Sequence, residues 1–152
     1  MPEIWKSYAQ NKSYPQLYEE INVALIPDTG LLWQQIHERV CALYESPRKW
    51  SYEWMLALRE GPQEEDQEGI WHDDSSRDLA LSLSLNLEPS LIQGGELRLR
   101  PRSHREQVTS VAPRPWAHGH IFATGKWDWE HKTSRVSSGN RLVLVVWISL
   151  TA

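Results

Sequence analysis

Leu79-Ala80-Leu81-Ser82-Leu83-Ser84-Leu85-Asn86-Leu87 places leucine at every second position, with a small or polar residue between each pair. Leucine favours helix by propensity. A period of two, however, would scatter these side chains around a helix, whereas on a strand it gathers them on one face. The stretch therefore predicts a strand with one apolar face and one face of small and polar groups. Downstream, Gly94-Gly95 turns the chain. Residues 96–100 alternate again, with Arg98 and Arg100 on one side. Residues 108–111, 118–123, 129–136 and 141–150 read as further strands. Upstream, Trp54, Leu56 and Leu58 alternate with Met55 and Ala57, and residues 69–74 follow a polar, acidic loop over 61–69. With Gly and Pro between them, these make about eight short strands, a spacing that argues for a sandwich or jelly roll.

The front of the chain has a helical period. Ser13-Tyr14-Pro15 opens a helix, with Ser as the cap and Pro in the first turn, and Leu17, Ile21, Ala24 and Leu25 continue it. Pro27-Asp28-Thr29-Gly30 breaks it. A second helix runs over about 31–44, with Leu32, Ile36, Val40, Leu43 and Tyr44 on one stripe. The expectation is a mainly β chain with N-terminal helices: a helical front over about 1–48 and a jelly roll over about 50–150. At 152 residues it is long enough for one core and short for two.

Composition narrows the function classes. The net charge of -4 gives no general attraction for nucleic acid or an anionic membrane. No apolar stretch approaches the roughly 20 residues that span a bilayer, and nothing near Met1 resembles a signal peptide. The single cysteine, Cys41, cannot form an internal disulfide, so a reducing cytoplasm is the expected location. Nine tryptophans against one phenylalanine make Trp the main packing aromatic.

The chemistry lies in His72, Asp74, His131 and Arg141. His131 follows Asp74 by 57 residues, and Arg141 follows His131 by 10. Two imidazoles and a carboxylate can cap one face of an iron(II) ion and leave the remaining positions open. An Arg can grip the far carboxylate of an organic co-substrate through a two-pronged contact. His104-Arg105-Glu106 offers a competing pair. In a jelly roll about four strands separate the paired ligands from the last His, which takes about 40 residues or more. The interval from Asp74 to His131 has that room, and the interval from Glu106 does not.

These residues resemble the iron(II)- and 2-oxoglutarate-dependent dioxygenases, in the prolyl 4-hydroxylase-like branch. Trp71-His72-Asp73-Asp74 resembles the family's His-x-Asp segment. Leu83 to Leu87 with Gly94-Gly95-Glu96-Leu97 resembles its Leu-Asn-loop-Gly-Gly-Glu-Leu hairpin, and Gly119-His120-Ile121-Phe122 the strand before the last His. His131 through Val136, Gly139-Asn140-Arg141 and Trp147-Ile148 resemble its closing segment. The likeness covers roughly residues 50–150. It implies a double-stranded β-helix. His72, Asp74 and His131 would hold Fe(II), and Arg141 would bind 2-oxoglutarate; Asn86, on the small polar face of its strand, is a further candidate contact. Hydroxylation of a small-molecule or peptidyl substrate by dioxygen would release succinate and carbon dioxide. A carboxylate at Asp74 favours hydroxylation over halogenation.

The chain also departs from the family. A Tyr common before the His-x-Asp loop is replaced by Arg59-Glu60-Gly61, which leaves the second hydroxyl on the co-substrate open among Tyr52, Ser82, Ser84 and Ser149. Arg135 and Arg141 have the spacing of the nucleic-acid-demethylating branch, but Arg135 lies only four residues after His131. Asn86 suits backbone satisfaction as well as ligand contact. The basic run Arg98, Arg100, Arg102, His104 and Arg105 suits either an anionic substrate or a solvated strand edge. Trp71, Trp116, Trp127 and Trp129 suit core packing singly and a substrate entry together. His118 and His120 read as structural or surface histidines. A non-catalytic β-sandwich binding carbohydrate or peptide is the rival class, because fold alone does not give function.

Overall fold

The structure is a computed structural model and describes residues 10, 12–21, 30–46 and 49–151. It is mainly β, with two helices and nine strands among the described residues. Helix α1 spans Tyr14–Glu20. The Ser13 hydroxyl accepts from Gln16 N while Gln16 Oε1 accepts from Ser13 N, a reciprocal cap that satisfies two otherwise orphaned donors. Helix α2 spans Gly30–Leu43 and buries Leu32, Ile36 and Val40 at helical spacing. Ala24 and Leu25, expected to continue the first helix, lie outside the described residues.

The strands are β1 (Trp50–Glu60), β2 (Leu79–Ser84), β3 (Gln93–Gly94), β4 (Leu97–Pro101), β5 (Thr109–Val111), β6 (Gly119–Ala123), β7 (Trp129–Thr133), β8 (Val136–Ser138) and β9 (Asn140–Leu150). A four-stranded sheet runs β1-β9-β2-β6, a three-stranded sheet β5-β4-β7, and β3 pairs with β8. All pairs are antiparallel.

The leucine alternation forms β2 and sorts the four-stranded sheet into two faces. Leu79, Leu81 and Leu83 join Leu56, Leu142, Leu144, Val146 and Ile148 in one buried cluster with the helices. The opposite face of β2 carries Ala80, Ser82 and Ser84, level on β9 with Trp147, Val145 and Val143. There Ala80 and Phe122 meet Leu97 and Leu99 of the three-stranded sheet, with Trp129 and Trp147 packed alongside. The two sheets thus share an apolar layer, while the Leu-rich back of the four-stranded sheet serves the helices.

Several expectations shift. The first strand runs the full length of β9, eleven residues rather than five. Residues 69–74 are not a strand; they make one isolated bridge, His72 to His131. Asp74 has φ 47, and Arg77 N donates to Asp74 O, so the chain turns away after a single pair. Residues 129–136 divide into β7 and β8, since Ser134 and Arg135 pair elsewhere: Ser134 N donates to Glu96 O and Gly95 N to Arg135 O. Gly94 pairs with Val136 instead of only turning the chain. Of the basic run only Arg98 and Arg100 lie on a strand, β4, which is flanked by β5 and β7; Arg102, His104 and Arg105 lie exposed beyond its end. No helix among the described residues is long and apolar enough to cross a membrane.

Candidate metal centre

His131 sits on β7, level with Leu99 of β4, so it shares the face that looks into the layer between the sheets. His72 is drawn to it by a reciprocal backbone pair: His72 N donates to His131 O at 3.0 Å and His131 N to His72 O at 2.8 Å. The turn after His72 then brings Asp74 back. Asp74 Oδ2 lies 3.2 Å from His131 Nε2 and 3.7 Å from His72 Nε2. One ligand atom from each of the three residues fits within 4.8 Å of the others. His131 is buried, Asp74 half-buried and His72 exposed, so the cluster opens to solvent on the His72 side.

The donor set suits a divalent ion. His72 Nδ1 lies 2.8 Å from Ile70 O. A proton there can only be donated to that carbonyl, which leaves the Nε2 lone pair for a metal. His131 Nδ1 is buried without a hydrogen-bond partner among the described residues, and the edge of Phe122 covers the ring at 4.8 Å between centroids. The Asp74 carboxyl is held down at about 2, first by its hydrogen bond with His131 and then by that with Trp147, against the opposing effect of burial. It is therefore ionised at ordinary pH, as a carboxylate ligand must be.

Contacts from Trp147 and from Arg102 with Gly125 fix the segment. Trp147 Nε1 donates to Asp74 Oδ2 at 3.0 Å, and Arg77 lies over the Trp147 ring at 4.9 Å. Arg102 donates to Asp73 Oδ2 at 2.7 Å and to Gly125 O at 2.8 Å, and Gly125 N donates to Asp73 O at 2.7 Å. A Cβ on Gly125 would stand 2.6 Å from Asp73 Cβ, so only glycine lets the 125–127 turn lie against this segment. Trp147→Phe keeps the ring and deletes the donor. Loss of such a supporting hydrogen bond is expected to weaken metal affinity by about ten- to a hundredfold, and a metal titration with unfolding as a control checks it.

Beside the cluster is a narrow cleft lined by Ser82, Ser84, Asn86, Arg114, His120 and Arg141, among others, with no acidic residue in its wall. Arg141 is 6% exposed. Burial, followed by the charge of Arg59, lowers its guanidinium to about 10. Among the described residues no hydrogen bond or ion pair satisfies that guanidinium. Gly95 makes room for it, because a Cβ there would stand 2.9 Å from Arg141 Cδ. Asn86 lines the same cleft but is committed to the protein: its Oδ1 accepts from Leu142 N at 2.8 Å, and its Nδ2 donates to Ser84 Oγ at 2.7 Å and to Arg114 O at 3.1 Å. Ser84 Oγ also donates to Arg114 O.

The remaining candidates disperse. Tyr52 bonds His37 at 2.6 Å and packs with the helix-side cluster. Ser149 lies opposite Ser51, well along β9 from Arg141. His104 is exposed beside Ser103. The basic run is paired off, Arg98 with Glu96, Arg100 and Arg105 with Glu130, and Arg102 with Asp73. Trp116 is in the helix-side core, Trp129 between the sheets, and Trp71 beneath Arg100 at 3.8 Å; Trp127 alone of the four is largely exposed. His120 stands level with Ser82 and lines the cleft. Burial, then the charge of Arg114, lowers its pKa, which favours a neutral ring there.

No family model matches the chain, and no curated protein matches it. Solved structures do. An oxidoreductase of the 2OG-Fe(II) oxygenase family from Burkholderia pseudomallei superposes with TM-score 0.57 at 14% identity, over 86% of this chain and 55% of its own. A viral collagen prolyl hydroxylase from Paramecium Bursaria Chlorella virus-1 gives 0.56 at 17% identity, over 80% of this chain and 67% of its own. A Pseudomonas putida prolyl-4-hydroxylase gives 0.54 at 19% identity, over 79% and 64%. The chain thus has the fold seen in these 2OG-Fe(II) oxygenase and prolyl hydroxylase structures. It spans only about half to two thirds of the length of these structures.

Proposed function

We propose that this chain is an iron(II)- and 2-oxoglutarate-dependent dioxygenase: one domain over 1–152, with a double-stranded β-helix over about 50–150, that hydroxylates a small-molecule or peptidyl substrate. The observation that carries this reading is the convergence of His72, Asp74 and His131 within 4.8 Å. In this reading His72 and His131 each lend a neutral imidazole nitrogen, and Asp74 lends a carboxylate that stays ionised through its hydrogen bonds. Iron(II) held there would supply activation of dioxygen, coupled to decarboxylation of 2-oxoglutarate to succinate and carbon dioxide. Arg141 would take the distal carboxylate of the co-substrate, the anion that its buried guanidinium lacks. Leu97 and Val143 in the cleft wall would keep water from that ion pair and strengthen it. The unpaired Cys41 suits a cytoplasmic location.

The test is a two-stage anaerobic titration. Iron(II) followed by 2-oxoglutarate should give a weak visible charge-transfer band, and admission of air should release succinate. A protein that binds neither iron(II) nor 2-oxoglutarate would belong to the rival class of sandwich binding modules.

A further inference from the structure

The face of the four-stranded sheet that is turned toward the three-stranded sheet carries a second cation whose position calls for a role. Arg59 on β1 is the direct Cα partner of Arg141 on β9. Directly opposed residues on antiparallel strands point to the same face, with Cβ atoms about 4.5–5.5 Å apart, and like charges so placed repel. Strand parity identifies that face. Leu56, Leu142 and Leu144 turn to the helix-side core, so Arg59 and Arg141 turn with Val143, Ser82 and Ser84 to the side of the cleft.

Neither guanidinium has an ion-pair partner among the described residues. Arg59 makes one hydrogen bond, Nη1 to Gln67 O at 3.1 Å, and no ion pair among the described residues. Glu68, whose charge acts on Arg59, is engaged elsewhere: one oxygen accepts from Lys132 Nζ at 3.0 Å and the other from Arg135 N at 2.7 Å. Two partly desolvated cations facing each other without an ion-pair partner repel. A carboxylate set between them would relieve the repulsion and take charge-assisted hydrogen bonds from both.

We propose that Arg59 is a second binding residue for the distal carboxylate of the co-substrate, forming a two-arginine clamp with Arg141. The proposal rests on the dioxygenase reading and adds a charged contact to the cleft that Arg141 shares with Ser82 and Ser84. It also defines the ligand class. The clamp suits a keto acid with a second carboxylate and discriminates against one that ends in a methyl group.

The test compares Arg59→Met and Arg59→Lys with the wild type, each loaded anaerobically with iron(II) and titrated with 2-oxoglutarate and separately with 2-oxovalerate. The latter has the same carbon chain and no distal carboxylate. Arg59→Met should weaken 2-oxoglutarate binding by about three- to thirtyfold, a range between an exposed and a buried charged contact. It should leave 2-oxovalerate and iron(II) affinity unchanged, and Arg59→Lys should recover part of the loss. Equal affinity for 2-oxoglutarate in Arg59→Met and wild type overturns the clamp. So does an equal loss for both keto acids, which marks a merely structural residue. A wild type that binds iron(II) but no 2-oxoglutarate overturns the dioxygenase reading itself, an outcome visible before any variant is made.

Discussion

His131→Ala is expected to abolish stable iron(II) binding, and His72→Ala to do the same. Each removes one of three side chains that converge within 4.8 Å. Two remaining ligands compete poorly with water for a labile divalent ion. His131 should be the more damaging site. It is buried on β7, and its backbone also holds His72 in place through the reciprocal pair at 2.8 and 3.0 Å. His72 is exposed, so water can enter the vacated position and leave a weakly bound ion. Asp74→Ala should lose hydroxylation and keep some iron, because a small anion can occupy the vacant position. His104→Ala is the control, since this exposed residue contacts Ser103, and its metal affinity should match the wild type. Anaerobic titration with iron(II), read calorimetrically, measures all four variants. Unchanged affinity in either His72→Ala or His131→Ala would remove the assignment.

The sequence makes the His72–Asp74–His131 cluster legible for a simple reason. Ligand identity and spacing are local quantities, and the leucine alternation of β2 states its own period. What supports the cluster is not local. Trp147 reaches Asp74 only because β9 lies beside β2 with Trp147 level with Ala80. His120 enters the cleft only through its register with Ser82. Arg59 and Arg141 meet across 82 residues of chain, and a slip of one residue in that pairing would turn one of them to the opposite face.

Other misreadings have the same origin. Residues 69–74 have a strand-like composition, but Gly69 is pressed against Thr133, where a Cβ would stand 2.3 Å from the carbonyl oxygen. The segment crosses β7 at one bridge and leaves. The run from Arg98 to Arg105 has the charge of an edge strand, yet its partners Glu96, Glu130 and Asp73 come from three places in the chain. Composition marks such residues as polar without naming what neutralises them. The tryptophans divide the same way: burial sorts Trp116 into the core and leaves Trp127 projecting, although both lie near site strands in the sequence.

Arg141→Ala is expected to weaken 2-oxoglutarate binding by about ten- to a few hundredfold, while iron(II) affinity barely changes. Charged hydrogen bonds of a buried Arg contribute about 1.5–3 kcal/mol, and truncation leaves the ligand carboxylate unpaired, which adds to the loss; at about 1.4 kcal/mol per decade this gives the stated range. Two opposing effects bound it. Arg59 stands opposite and would retain part of the attraction, which holds the loss toward the lower end. The cleft wall has no other charged group except Arg114 and no acid, so little else can substitute. Arg141→Lys should recover only part of the affinity, since an ammonium cannot reproduce the planar fork. Arg135 provides the control: its guanidinium donates to Gln63 O at 3.3 Å and its backbone N to Glu68, away from the cleft wall. Arg135→Ala should therefore be near neutral for the co-substrate. The measurement is a competition titration of 2-oxoglutarate against the metal-loaded protein. If Arg135→Ala weakens binding and Arg141→Ala does not, the anion site lies at the β7–β8 junction, and the buried guanidinium of β9 serves the fold instead.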